Sequence, residues 1–148
     1  MSETSPASLR PVLFLCTANT CRSQMAEGLL RAHAGDRFSA LSAGLNPGAE
    51  IHPLTRQVMA ERGIDLSDAR PKSVKEYLWH VNPAYVIAVC DRAARECPAV
   101  WPGVVTRLAW PLDDPASVEG PLETRLAAFR RVRDEIDARI REWLDTQP

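Results

Sequence analysis

Apolar residues in this chain fall into two alternating patterns: short unbroken runs, and longer stretches in which they return every third or fourth residue. Val12-Leu13-Phe14-Leu15 is a run of the first kind and predicts a buried strand that ends at Cys16. From Ser23 to Ala34 the side chains Met25, Ala26, Leu29 and Leu30 keep helical spacing, with Gly28 allowing close approach. Phe38 to Ser42 reads as a second short strand, stopped by Ala43-Gly44 and the turn-rich Asn46-Pro47-Gly48. Pro53 to Arg62 predicts a helix closed by Gly63, and Lys75 to His80 one or two helical turns. Tyr85 to Val89 predicts a strand buried on both faces, and Arg107 to Trp110 a fourth strand. Leu122, Leu126, Phe129, Val132, Ile136, Ile140 and Trp143 then step through a long closing helix, with Arg130, Arg131 and Arg133 expected on its solvated face.

Strands separated by helices imply an α/β fold of three αβα layers around a four-stranded parallel sheet with right-handed crossovers. Neither a linker nor a repeat divides the chain, so residues 11–148 are expected to form one domain behind a flexible N-terminal segment, 1–10. In such sheets ligands bind beyond the carboxyl ends of the strands. Cys16 and Cys90 leave two strands at that edge, and the loop with Asp113-Asp114-Pro115 arrives there after the fourth strand.

Composition narrows the function classes. A chain of 148 residues with 45% hydrophobic content can bury a real core, and a formal charge of -1 offers no basic footprint for nucleic acid or an anionic membrane. Met1 to Arg10 is polar, and no run approaches the roughly 18 apolar residues of a membrane span, so a cytoplasmic monomer is expected. In that compartment the four cysteines are expected to be free, catalytic or redox-active. His33, His52 and His80 lack metal-ligand spacing and are expected to pack or face solvent; no metal site is predicted.

The chemistry concentrates between Cys16 and Ser23. Cys-x5-Arg leaves enough backbone for Thr17, Ala18, Asn19, Thr20 and Cys21 to curl once around a tetrahedral anion, with amide N–H groups inward and Arg22 closing the ring by a two-pronged contact. The helix that follows adds its positive end, and Ser23 is expected both to cap it and to donate its hydroxyl to the cysteine. A thiol of pKa about 8.5 in such surroundings falls by one to several units, so Cys16 is expected to be largely thiolate. Cys21, in the same loop, is given a structural role, and Asn19 is expected to hold the loop in shape because asparagine tolerates left-handed backbone.

These residues resemble two related families that share one fold, the low-molecular-weight protein tyrosine phosphatases and the thioredoxin-coupled arsenate reductases. The resemblance runs from Val12 to Leu144 through the Cys16 to Ser23 loop, Met25-Ala26-Glu27, Ser42-Ala43-Gly44 and Asp114-Pro115. One departure is Ala18, where both families often have glycine; if that site needs positive φ, alanine costs about 1 kcal/mol. Cys90 and Cys97, as Cys-x6-Cys after a buried strand, resemble the redox pair of the reductases, and Gln24 stands where phosphatases usually have proline. Ala116-Ser117 after Asp114-Pro115, and the loop from Leu45 to His52, bring none of the aromatic residues that line a phosphotyrosine cleft.

The resemblance implies arsenate reduction to arsenite, with phosphate and sulfate as analogues of the substrate. Cys16 would attack the central atom held by Arg22, Asp114 rather than Asp113 would protonate the departing oxygen, and Cys90 and then Cys97 would carry the disulfide to thioredoxin. Electrons would come from thioredoxin, with no tightly bound cofactor. If residues 91–96 are helical in the reduced protein, that segment must unwind for Cys90 and Cys97 to join. Some reductases bind potassium behind the loop, and Asn19, Glu27 and Ser42 match that site; Lys72 stands where the last carboxylate aligns, so its ammonium is expected to replace the ion. Two alternatives stay open: a phosphatase that hydrolyses phosphate monoesters through a phosphocysteine, and a non-catalytic oxyanion-binding or redox-sensing module.

Overall fold

The computed structural model describes residues 9–100 and 105–147, except for the side chains of residues 97–100. Most of the segment expected to be flexible, 1–10, lies outside the described residues. The strands are β1 (Arg10–Cys16), β2 (Phe38–Gly44), β3 (Tyr85–Ala88) and β4 (Thr106–Ala109). They form one sheet in the order β2-β1-β3-β4, and each neighbouring pair is parallel. The helices are α1 (Arg22–Ala34), α2 (Pro53–Ala60), α3 (Asp91–Val100) and α4 (Leu122–Asp145).

β1 is central because its sequence has no polar side to offer, and Val12 to Cys16 are buried on both faces. The chain leaves it through α1 toward β2 and leaves β3 through α3 toward β4, so two right-handed crossovers run in opposite directions. That topology puts α1 and α3 on opposite faces and opens a crevice beyond the carboxyl ends of β1 and β3. α4 closes the core on the α1 side with Phe129, Val132, Ile136 and Ile140, all essentially inaccessible to solvent, and its Trp143 ring stands edge-on to Tyr85 at 5.0 Å.

The long helix departs from expectation on its polar side. Arg133 is not solvated: it is 5% exposed, donating to Val58 O at 2.9 Å and Glu61 Oε1 at 2.7 Å. Arg130 grips the same carboxylate at 2.6 Å, so Glu61 clamps the end of α2 to α4. His33 pairs with Asp137 at 2.6 Å across α1 and α4, and His52 caps α2, its Nδ1 accepting from Leu54 N at 3.0 Å. Among the described residues no helix is long and apolar enough to cross a membrane.

Candidate active site

β1 hands Cys16 to a loop whose carbonyls all turn away from its centre. Cys16 O accepts from Leu45 N at 3.0 Å, Thr17 O from Asn46 N at 2.8 Å, Ala18 O from Gly48 N at 2.9 Å and Thr20 O from His52 N at 3.2 Å. Because a trans peptide is planar, each outward carbonyl turns the next N–H the opposite way, and the amides of Thr17, Ala18, Asn19 and Cys21 face inward. One of them already has a partner: Asn19 N donates to Cys16 Sγ at 3.1 Å. The reversal is made at Asn19, whose φ of 58° is left-handed, as expected for asparagine. Ala18 does not have positive φ, so its replacement of glycine carries no backbone penalty of that kind.

The loop from Cys16 to Arg22 lines a cavity of about 440 Å³, closed on the other side by Asp114 and Ala116. Arg22 reaches across and donates to Leu112 O at 2.9 Å, which ties it to the segment carrying the aspartates. Asp114 opens a single 3-10 turn, Pro115–Ser117, and its Oδ1 accepts from Ala116 N at 3.0 Å. Asp113 does not line the cavity. Cys90 comes up at the end of β3, 4% exposed, with its sulfur 3.6 Å from Thr17 Oγ1 and accepting from Ala93 N at 3.4 Å. Cys97 falls within the helical backbone of α3, and its side chain lies outside the described residues.

Beneath the sulfur runs a buried polar network. Asn19 Nδ2 donates to Ser23 Oγ at 2.7 Å and to Ser42 Oγ at 3.0 Å, which frees the Ser23 hydroxyl hydrogen for Cys16 Sγ, 2.7 Å away. Ser42 donates to Glu27, whose other oxygen meets Arg31 at 2.6 Å. Lys72 Nζ sits among these groups, 3.3 Å from Glu27 Oε1, 3.4 Å from Ser42 Oγ and 3.5 Å from Arg70 O.

Burial is the largest influence on Cys16 and pushes its thiol above the ordinary range, while hydrogen bonds from Ser23 and Asn19 pull it back. The expected thiolate is therefore opposed by desolvation. Burial also raises Cys21, and Asp114 and Cys16 add to the rise through their charge, which suits a structural thiol rather than a second nucleophile.

The sequence model of the low molecular weight phosphotyrosine protein phosphatase family matches residues 11–147. The chain belongs to that family. Among solved structures it is similar to a low molecular weight protein tyrosine phosphatase from T. tengcongensis, at 26% identity with a TM-score of 0.78, covering 93% of this chain and 99% of that one, and also to arsenate reductases. It is 42% identical over 139 residues to an arsenate reductase of Bacillus licheniformis, covering 94% of this chain and 98% of the relative. Among solved structures, an arsenate reductase in a phosphate-binding state superposes with a TM-score of 0.78 at 28% identity, covering 93% of this chain and 98% of that one. A thioredoxin-dependent arsenate reductase of Corynebacterium glutamicum is 31% identical with a TM-score of 0.69, covering 96% of this chain and 63% of that one.

In this low molecular weight phosphatase fold, the predicted loop residues, Asp114 and the sulfur of Cys90 converge at one sheet edge. Ser23 corrects one expectation. The helix begins at Arg22 with Cys21 at its N-cap and no side-chain capping bond, so Ser23 lies inside the first turn, and its hydroxyl bonds Cys16 and Asn19. Sequence reasoning missed the four amides that anchor the loop carbonyls and the part played by Gly44. A Cβ there would lie 2.6 Å from Thr17 O, so only glycine lets β2 end against the loop. Gly44 and Gly48 were the available signal.

Proposed function

We propose that this protein is an arsenate reductase working through a Cys16, Cys90, Cys97 relay regenerated by thioredoxin. The observation that carries the reading is the position of Cys90: a second free thiol is held beside the anion loop, against Thr17, at the start of the helix that contains Cys97. Hydrolysis of a phosphate ester has no chemical use for it.

Arsenate enters as a tetrahedral anion onto the inward amides and Arg22. As the anion settles, the Cys16 proton passes to one of its oxygens, so the total charge in the loop does not change and the sulfur is left as a nucleophile that Ser23 and Asn19 already bond. Cys16 sulfur attacks arsenic, one oxygen departs with a proton from Asp114, and a sulfur–arsenic bond remains. Cys90 thiolate then attacks Cys16 sulfur. The electron pair of the sulfur–arsenic bond stays on arsenic, which leaves as arsenite, and a Cys16 to Cys90 disulfide forms. Cys97 thiolate displaces Cys16, and the resulting Cys90 to Cys97 disulfide takes two electrons from thioredoxin.

The helical state of α3 makes the last exchange a conformational event. Six helical residues lie between Cys90 and Cys97, and the seven rises from one to the other set them roughly 10.5 Å apart along the axis, whereas a disulfide tolerates Cα separations up to about 7 Å. The start of α3 must therefore unwind on oxidation, and Asp91, Arg92 and Arg95 suit a segment that trades helix for solvent.

The test is arsenate reduction coupled to thioredoxin, thioredoxin reductase and NADPH, run beside hydrolysis of p-nitrophenyl phosphate, for the wild type and Cys90→Ser. Reduction is expected to vanish in the variant while any phosphatase activity, which needs only Cys16, Arg22 and Asp114, persists. Arsenate reduction that survives Cys90→Ser would refute the relay.

A further inference from the structure

Gln24 takes no part in the relay and does not line the cavity, yet it is 1% exposed and its side chain is spent entirely on the underside of the loop. Its Nε2 donates to Asn19 Oδ1 at 2.9 Å, to Asn19 O at 3.3 Å and to Arg70 O at 3.0 Å. We infer that Gln24 is a positioning residue that fixes Asn19 and, through Asn19 and Ser23, the hydrogen bonds delivered to Cys16, while tying the 70–72 segment to the loop. This rests on the proposed role of Cys16 as nucleophile.

The orientation of Asn19 is what gives Gln24 its reach. Lys72 N is a backbone donor and bonds Asn19 Oδ1 at 2.8 Å, so that atom is the oxygen and its partner Nδ2 must face Ser23 and Ser42. Gln24 supplies the second donor to the same oxygen and the only described donor to the Asn19 carbonyl. Both bonds hold a residue whose φ of 58° few side chains other than asparagine and aspartate tolerate, and whose main-chain N–H must keep pointing at Cys16 Sγ. Remove the amide donor and the buried Asn19 O loses its one described donor, while Arg70 O keeps only the longer contact from Lys72 Nζ at 3.5 Å. The left-handed turn is then free to relax, and with it go the Asn19 N bond to sulfur and the Nδ2 bond that directs the Ser23 hydrogen.

Gln24→Met keeps the volume and helix preference of the side chain and removes its donors; Gln24→Glu keeps the shape and turns a donor into an acceptor facing oxygens. Rates of iodoacetamide alkylation of Cys16 against pH, resolved by peptide mass spectrometry, read its ionisation directly, with Cys90 in the same digest as the control. The expected result in either variant is a Cys16 midpoint raised by about one unit, an unchanged Cys90 profile, and arsenate kcat lowered about tenfold with a smaller change in KM. An unmoved Cys16 midpoint in a folded Gln24→Met protein would overturn the inference. Loss of fold in both variants would assign Gln24 to core stability and overturn it too. A wild type that fails to reduce arsenate while the Cys16 midpoint still shifts in the variants would refute the proposed reaction alone.

Discussion

Gly44→Ala should weaken anion binding as well as stability, through two separable effects. The added Cβ would stand 2.6 Å from Thr17 O and 3.1 Å from both Ala18 C and Asn19 Cβ, and the nearest atoms are backbone that cannot rotate aside. Gly44 is in register with Cys16 and its own N–H donates to Lys72 O at 2.8 Å, so the end of β2 is held from two sides and the loop must give. Moving the Thr17 carbonyl breaks its bond from Asn46 N and rotates the Ala18 N–H that shares its peptide plane. Overpacking of this kind costs about 1–3 kcal/mol. The lost charge-assisted bond to an anion adds roughly 1.5–3 kcal/mol to binding alone, so phosphate, standing in for arsenate, should bind about 10- to 100-fold more weakly. Isothermal titration with phosphate, paired with thermal melting, measures the two effects separately. Gly48→Ala is the control: its Cβ meets Thr20 Cγ2 at 2.9 Å, the end of a side chain that can turn away. If Gly44→Ala binds phosphate within about threefold of wild type, or if both variants lose affinity equally, the account of how the loop amides are aimed is wrong.

Three further outcomes are expected. Asp114→Asn keeps the Oδ1 cap on Ala116 N but has no proton to give, so arsenate kcat should fall about 100-fold with phosphate affinity within about threefold; an unchanged kcat would remove Asp114 from the reaction. Arg130 and Arg133 depress Glu61 from 4.5 to about 2, so its contribution is complete above the unfolded value and is lost as pH falls through that window. Allowing for solvent screening, Glu61→Gln should cost about 1 kcal/mol at pH 7 and nothing near pH 2, and urea melts that give the same difference at both pH values would contradict it. Lys72→Met leaves Glu27 and Ser42 without the ammonium that lies between them, so arsenate kcat should drop severalfold and recover in part with potassium chloride but not choline chloride; wild type should respond equally to both salts.

The layer architecture and the nucleophile loop could be read from the chain because each is written in side chains. The β1 run, the helical spacing of α4 and the Cys16 to Arg22 interval all depend on which residue stands where. The anchors of the loop could not be read in the same way. Leu45, Asn46, Gly48 and His52 contribute backbone N–H groups that any residue but proline would supply, so no side-chain pattern announces them. Arg133 was misplaced for a different reason: its position along α4 marks a polar stripe, but Glu61 and the Val58 carbonyl come from an element 72 to 75 residues away and draw it inward. Ser23 was expected both to cap the helix and to bond the cysteine, and only the bond to sulfur is found. Asn19, by contrast, has the backbone expected of it, because few residue types accept a left-handed turn, and Lys72 Nζ lies beside Glu27 and Ser42, the position that the family resemblance implied.

The bond from Arg22 to Leu112 O has a bearing on how this enzyme is dissected. The guanidinium that would grip the anion is also a strut for the span leading to Asp114, so grip and protonation are mechanically one part. Deleting the arginine would record the loss of both, and deleting the aspartate afterwards would cost little more. Summed single-variant penalties would then exceed the barrier the pair removes, and only a double-mutant cycle on Arg22 and Asp114 would return the true share of each.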